Sequence, residues 1–377
     1  MRFSKSVLWL VTLGSAVLLP ALEKMADGVY AEFTTPRGSF VVELNYREAP
    51  MTVVSFVGLT EGTIAPRDGK PFFTGLKWYR VVPGFVIQSG NPKAPADGDP
   101  GYTFPDEFVP GLRHGAAGVL SMANGGPDTN GCEFFLTLGD CSRLNYLHSV
   151  FGHVFTGLDV LAKIQADDPF TIKILRVGEA GRAFKADDAT FKALAAKAGK
   201  YSGLQEPGPV AHFDDPARLL PVDPPRAKNF NFKLANYERA TGRKILARLF
   251  AQTPPAAEDK VPGAYMHALA ESLGIARSGV LVAYFAPDDW RVWFGDDLTA
   301  AFLGRPVTPA DLRPDAALHV AKEALISTAL AQGDAAFAAQ QKVAPPDKPV
   351  APAQHLKLQV DALLDALLLR LEPARHP

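Results

Sequence analysis

Short apolar stretches separated by glycine and proline dominate the chain between residues 28 and 182. Residues 28–33 and 39–44 are rich in β-forming residues and flank a Pro36-Arg37-Gly38 turn, which predicts a β-hairpin. Further strands are predicted at residues 78–87, 118–122, 133–138, 150–155 and 171–177, and helices at 49–59 and 159–165. Many short strands with only two helices favour a β-barrel or a β-sandwich.

A different pattern begins near Asn229, where helical and strand-like segments alternate. Helices are predicted at residues 234–242, 263–273 and 315–332, and strands at 244–250, 280–285 and 291–294. This alternation favours a layered α/β domain over residues 229–343. Between the two domains, residues 183–228 are predicted to form a linker with a short helix at residues 186–200, because residues 206–225 are rich in proline.

The last segment, residues 344–377, combines a Pro-rich stretch with an amphipathic terminal helix. Within residues 354–371, six apolar side chains share one helix face, namely Leu356, Val360, Leu363, Leu364, Leu367 and Leu371. Such a stripe is costly to expose to water, because each buried leucine contributes roughly 1.5–3 kcal/mol. We expect the helix to pack on its own domain, with a homodimer contact as the alternative. A membrane surface is disfavoured because the polar face carries few basic residues.

The N-terminus has the features of a targeting segment. Arg2 and Lys5 precede an apolar run at residues 7–22, which is typical of a secretory signal. The run is short for a membrane span, which needs about 20 apolar residues, and no clean cleavage site follows it. Residues 1–27 are therefore predicted to be a signal peptide or an N-terminal anchor. The protein is expected to be exported, in a periplasmic or other extracytoplasmic location.

Charge and cysteine content exclude several classes of partner. The 39 basic and 40 acidic residues leave a net charge of -1, so no basic excess favours nucleic acid. Two cysteines are too few for a disulfide-rich scaffold or a four-cysteine zinc site, and neither a metal nor a cofactor is expected. A predicted strand separates Cys132 from Cys141 at about 3.3 Å per residue, so both are expected to be free thiols.

Three segments of the first domain carry a specific combination of residues. They are WYRVVPGFVIQSG at residues 78–90, LSMANGGP with TNGCEFF at 120–127 and 129–135, and LNYLHSVFG at 144–152. In their order and spacing, residues 28–182 resemble the cyclophilin-type peptidyl-prolyl cis-trans isomerases. The resemblance implies a closed β-barrel with two flanking helices, and an activity on X-Pro bonds of proline-containing polypeptides.

The residue types fit this chemistry. Rotation about an X-Pro bond requires no nucleophile or metal, but a hydrogen-bond donor directed at the prolyl nitrogen lowers its barrier. The resemblance implies catalytic roles for Arg80 as this donor, for Gln88, which would orient Arg80 or hold the substrate, and for Phe85. It implies that the substrate is bound by Val86, Ala123, Asn124, Glu133, Phe135, Leu144 and His148.

Two positions depart from the family pattern. Many members carry glutamine where this chain has Glu133, and a carboxylate there could pair with Arg80 or favour a substrate N–H. Arg143 stands where the cyclosporin-binding members carry tryptophan. Replacing an indole removes a large apolar contact and an N–H donor, so tight cyclosporin binding is not expected.

The second domain is similar to another family. Residues 237–242, 273–275, 278–282, 286–298 and 332–334 occur in the order found in TPM-domain proteins, which are exported α/β proteins. The resemblance covers residues 229–341, and we expect this domain to bind or localise rather than to catalyse. The favoured function of the whole chain is an isomerase that assists folding of exported clients. The alternatives are a non-catalytic module that binds proline-containing peptides, and a hydrolytic C-terminal domain as the main activity.

Overall fold

The structure is a computed structural model that describes residues 25–93, 100–261, 263–313, 315–345 and 347–374. Most of the predicted targeting segment, residues 1–24, therefore lies outside the described residues. No helix in the described ranges combines the length and apolar character that crossing a membrane requires.

Eight antiparallel strands form the N-terminal sheet. Their order across the sheet is β3-β4-β6-β5-β7-β2-β1-β8. The strands are β1 (Gly28–Thr35), β2 (Gly38–Leu44), β3 (Arg80–Val82), β4 (Val86–Ser89), β5 (Val119–Met122), β6 (Phe134–Thr137), β7 (Val150–Thr156) and β8 (Thr171–Val177).

The sheet curls without closing, so the prediction of a closed barrel was wrong in this respect. The edge strands β3 and β8 share no ladder in the described part of the chain, where an isolated bridge joins Lys77 to Pro169. The predicted strand at residues 78–87 is interrupted at Pro83, and a turn in which the Phe85 N–H donates to the Val82 carbonyl separates β3 from β4. Proline lacks the N–H that a ladder needs, which leaves β3 only three residues long.

The core of this domain lies between the curled sheet and one buried helix. The helix α1 (Pro50–Glu61) is buried at every position from Met51 to Thr60. Phe134 of β6 is fully buried and lies 5.4 Å from the ring of Phe56 and 5.9 Å from Trp78, between ring centroids. Three short helices complete the domain, α2 (Leu158–Leu161), α3 (Gly178–Ala183) and α4 (Asp188–Ala195).

The C-terminal domain is a layered α/β unit, as predicted. Its sheet has the order β12-β11-β10-β9, with β12 antiparallel to three parallel strands. The strands are β9 (Phe213–Asp214), β10 (Lys244–Phe250), β11 (Gly279–Phe285) and β12 (Asp289–Phe294). The helices are α5 (Arg226–Thr241), α6 (Ala264–Ser272), α7 (Asp296–Leu303), α8 (Ala317–Val343) and α9 (Pro352–Leu371).

Helices cover both faces of this sheet. Leu246 and Leu281 pack against α6 on one face, whereas Ile245 and Val280 join the core formed with α5 and α9 on the other. Because successive strand residues point to opposite faces, both sets must be apolar. This explains why β10 and β11 are nearly continuous apolar runs.

Two helices are longer than predicted. The helix α5 begins at Arg226, whereas the sequence predicts its start at residue 234, and Asn231 and Lys233 in the added turns are buried. The helix α8 extends to Val343. The predicted linker also contains β9, which pairs with β10 and so belongs to the second sheet.

The terminal helix α9 packs against its own chain. Leu363, Leu364, Leu367 and Leu371 are fully buried in the core that α9 shares with α7 and α8. The face that a dimer contact would use is therefore covered within the monomer. Cys132 and Cys141 are both buried and are not joined by a disulfide, which confirms that prediction.

The two domains meet at the loop of residues 142–148. Tyr146 of this loop is buried in the core of the C-terminal domain, with its ring centroid 5.1 Å from that of Tyr237. Its carbonyl accepts a hydrogen bond of 2.9 Å from Asn236, and its hydroxyl donates to Glu372 beyond α9. The C-terminal domain thereby holds a loop that belongs to the first domain.

The leucine face of α9 yields a matched pair of substitutions. Leu367 is 0% exposed and Leu369 is 54% exposed on the same helix. We expect Leu367→Ala to lower the free energy of unfolding by about 2–5 kcal/mol, because it removes buried methyl groups and leaves a cavity. Leu369→Ala should change it by about 0.5 kcal/mol or less. If chemical denaturation gave equal losses of unfolding free energy for the two variants, the leucine face of α9 would not be part of this core.

Candidate active site

One row of residues across the sheet brings the predicted catalytic side chains together. Arg80 of β3 lies directly opposite Gln88 of β4, and Gln88 lies opposite Phe135 of β6. Directly paired side chains in antiparallel strands lie side by side on one face. Ile87 and Phe134, at adjacent positions, point into the core instead. Strand alternation therefore separates the site from the core.

Gln88 connects Arg80 to Glu133. The Arg80 guanidinium donates to Gln88 Oε1 at 2.8 Å, and Gln88 Nε2 donates to Glu133 Oε2 at 2.8 Å. A carboxylate only accepts hydrogen bonds, so it draws the amide nitrogen of Gln88 towards itself. The amide oxygen then has to face Arg80. Glu133 thus orients Arg80 through Gln88, and no direct ion pair joins Arg80 to Glu133 in the described residues.

Two side chains that sequence reasoning did not assign hold Glu133 in place. Tyr79 donates its hydroxyl hydrogen to Glu133 Oε2 at 2.5 Å, and Asn91 donates to Oε1 at 2.8 Å. Burial, with the Glu133 carboxylate beside it, raises the pKa of Tyr79 well above its usual range, so the phenol remains a donor. Gly90 has φ +103°, and a Cβ there would lie 2.1 Å from the Cys132 carbonyl oxygen, so only glycine permits this approach.

An apolar cluster lies next to Arg80, and its surface, where the resemblance predicts that a proline ring binds, is called the apolar pocket below. Val86 and Phe135 are buried at its base with Cys141, and Phe85, Ala123 and Leu144 pack around them. The guanidinium carbon of Arg80 lies 5.8 Å from the centroid of the Phe85 ring, at the rim. Arg143 lies above the same ring at 4.1 Å. The pocket has the composition expected for binding a proline ring, with a charged donor at its edge.

His148 borders this pocket in a neutral form. Its ring meets the Phe135 ring edge to face at 5.5 Å, and Nδ1 donates to the Met122 carbonyl at 3.0 Å. Burial lowers the pKa of His148 to about 4. With Nδ1 carrying the proton, Nε2 is left as an acceptor.

Asn124 is anchored by its side chain. Nδ2 donates to the Leu147 carbonyl at 3.0 Å and to Asp106 at 3.2 Å. Within the described residues its backbone N–H and carbonyl have no backbone partner. This arrangement leaves the Asn124 backbone available for strand-like pairing with an extended peptide.

The buried side chain of His114 contacts the loop of residues 142–148. His114 Nε2 lies 2.9 Å from Ser121 Oγ and Nδ1 lies 3.1 Å from Asn145 Oδ1. Burial lowers the pKa of His114 to about 3, so the ring is neutral and bonds both partners. Both domains therefore hold the loop that carries Leu144 and His148. The first domain does so through His114, and the C-terminal domain through its contacts with Tyr146.

Comparison with known proteins agrees with this geometry. Residues 30–179 match the family model described as cyclophilin type peptidyl-prolyl cis-trans isomerase/CLD. Peptidyl-prolyl cis-trans isomerase A of Mycobacterium tuberculosis is 42% identical over 131 residues, which cover 33% of this chain and 72% of that protein. Peptidyl-prolyl cis-trans isomerase-like 1 of Emericella nidulans is 37% identical over 161 residues, covering 40% and 94% respectively.

A solved structure, the cyclophilin type isomerase of Cryptosporidium parvum, is 27% identical with a TM-score of 0.35, covering 40% of this chain and 98% of its own. The family match ends at residue 179, so the C-terminal domain lies outside it. The family match and the sequence identities to the Mycobacterium tuberculosis and Emericella nidulans isomerases, together with the curled sheet and the row that joins Arg80 to Phe135, lead to one assignment. The chain belongs to the cyclophilin-type peptidyl-prolyl cis-trans isomerases, and its residues 30–179 form the isomerase domain.

Proposed function

We propose that this enzyme isomerises X-Pro bonds of exported client proteins and so assists their folding outside the cytoplasm. The observation that carries the proposal is the Arg80 guanidinium, held by Gln88 at the rim of the apolar pocket. The clients are proline-containing polypeptides, and residues 1–27 direct export or anchor the protein at a membrane.

The mechanism follows from the electronic structure of the amide. The barrier of about 18–20 kcal/mol to amide rotation comes from delocalisation of the nitrogen lone pair into the carbonyl. When the bond twists, the lone pair returns to the prolyl nitrogen, and Arg80 donates a hydrogen bond to it there. The donor is already oriented by Gln88 and Glu133, so little reorganisation accompanies the step.

The apolar pocket and the Asn124 backbone bind different parts of the substrate. The proline ring occupies the site formed by Phe85, Val86, Phe135 and Leu144, which excludes water around the reacting amide. Exclusion of water strengthens the hydrogen bond from Arg80. The peptide on the other side of the twisting bond pairs with Asn124, so one side is held while the other turns.

Arg80 provides the direct test of this mechanism. Loss of one oriented transition-state donor costs about 10²-fold in rate or more, so we expect Arg80→Ala to lower kcat/KM by that factor. The measurement is exchange NMR on a short proline peptide, followed by refolding of a protein whose slow phase is limited by an X-Pro bond. Arg182→Ala, which removes an exposed arginine of α3, is the matched control. Equal rates for the Arg80 variant and the wild type would remove Arg80 from the mechanism.

The neutral state of His148 sets the pH dependence. Because the pKa of this ring is lowered to about 4, the ring does not change charge between about pH 5.5 and about pH 8. We expect kcat/KM to be flat over this interval and to fall only as the pH approaches 4 and the ring gains a proton. A pH–rate profile checks this. An inflection between about pH 6 and about pH 7 that disappears in His148→Gln would contradict the neutral assignment.

Export is tested independently of catalysis. Residues 1–27 fused to a reporter enzyme that is active only outside the cytoplasm should give activity in a bacterial host. Replacing Val11 and Leu18 with aspartate should abolish that activity, because an acidic residue interrupts the apolar region of a signal. A fusion that stays inactive, while the same reporter with a known signal is active, would refute export.

A further inference from the structure

The helix α5 of the C-terminal domain forms a second wall beside the isomerase site. A pocket of about 260 Å³ is lined on one side by residues 124–127, Leu147 and His148, and on the other by Asn229, Phe232 and Asn236 of α5. The isomerase domain alone would leave this side of His148 open. A polypeptide bound at Asn124 therefore contacts both domains.

A second pocket lies between α5 and Leu144, and several positively charged side chains line it. Its lining includes Leu144, which also belongs to the apolar pocket, and Asn229 and Phe230 of α5. Four basic side chains and one acidic side chain line it, namely Arg143, Arg226, Lys233, Lys357 and Asp361. Leu144 and Arg143 border both pockets, so this pocket adjoins the place where the proline ring would bind.

The two lysines are neutralised within the protein. Lys233 Nζ lies 2.5 Å from Asp365, and Lys357 is paired with Asp361. The two arginines are not neutralised, since in the described chain no carboxylate lies within 4.0 Å of the Arg143 or Arg226 guanidinium. The pocket therefore has an excess of two positive charges.

Both arginines are held where a ligand could meet them. Arg143 is fixed above the Phe85 ring at 4.1 Å. The Nε atom of Arg226 is buried and has no hydrogen-bond partner. A buried donor without a partner costs free energy, which a bound acceptor would recover. Arg226 is also the first residue of α5, whose N-terminus has no side-chain cap and no acidic residue in its first turn. The partial positive charge of that helix end adds to the field of the arginines.

We propose that this pocket binds a carboxylate of the substrate, supplied by an acidic residue next to the isomerised proline. The inference rests on the isomerase activity, which brings an X-Pro segment to the neighbouring apolar pocket. Guanidinium groups bind carboxylates through charge-assisted hydrogen bonds, and a neutral or basic residue at the same place would leave both arginines unpaired. The C-terminal domain thereby selects acidic X-Pro segments.

The test compares fluorescein-labelled peptides by anisotropy with the full-length protein. The peptides contain one proline and differ only in glutamate, glutamine or lysine immediately before or after it. We expect glutamate at one of the two positions to bind about tenfold more tightly than glutamine, as for a hydrogen bond to a charged group, and lysine to bind most weakly. The difference should shrink as salt is raised to about 1 M, because screening then acts within about 3 Å.

Arg226→Gln should remove most of the glutamate preference, because the affinity for the glutamate peptide then falls towards that for the glutamine peptide. Arg313→Gln, which removes an exposed arginine of the same domain outside this pocket, should retain the full preference. Equal affinities for all peptides in the wild type, or a preference that survives Arg226→Gln, would overturn the proposal.

Exchange NMR on the same peptides separates this proposal from the function itself. Isomerisation of all peptides without any charge preference would refute the carboxylate site and leave the isomerase mechanism intact. Preferential binding of the glutamate peptide without isomerisation of any peptide would refute the mechanism at Arg80 and support the carboxylate site.

Discussion

The loop of residues 142–148 packs into two apolar clusters at once, one in each domain. The arrangement of both domains depends on this constraint. Leu144 packs in the apolar pocket of the isomerase domain, while Tyr146, two residues later, is buried in the core of the C-terminal domain. Tyr146 has φ +60°, a left-handed conformation that costs a bulky residue about 1–2 kcal/mol. Its bonds to Asn236 and Glu372 sustain that conformation, so the C-terminal domain shapes a loop of the active site.

Local sequence pattern accounts for much of the fold. The strands at residues 171–177 and 244–250 have the predicted limits, because β-rich runs there are bounded by turn residues. The pattern failed where proline interrupted an apolar run, as at Pro83, and where polar residues are buried, as in the first turns of α5. In α5 the buried Lys233 and Asn231 are stabilised by partners distant in sequence, Asp365 and the Leu204 carbonyl, which local periodicity does not reveal.

The candidate site was also predicted in part, because local motifs identify residues but do not reveal contacts between residues distant in sequence. The motifs located Arg80, Gln88 and the pocket residues, which the structure brings together. The roles of Tyr79 and Asn91 depend on how β3, β4 and the segment before β6 align, and no local signal specifies that alignment. Tyr79 lies within the first motif, so a search for buried donors beside Glu133 could have found it. The position of α5 beside the site depends on how the two domains pack. The residues of the isomerase motifs do not predict it.

The buried pair between Lys233 and Asp365 fixes how α5 and α9 lie against each other. Lys233 is 1% exposed, and an ion pair removed from water contributes little net stability, but either charge alone in that place is strongly destabilising. Sliding α9 by one turn, about 5.4 Å, would separate the two groups. The pair therefore excludes alternative registers between the two helices. A substitution at Asp365 would change the position of Asp361 and Lys357, which lie one and two turns away, and with it the shape of the surface that substrates meet.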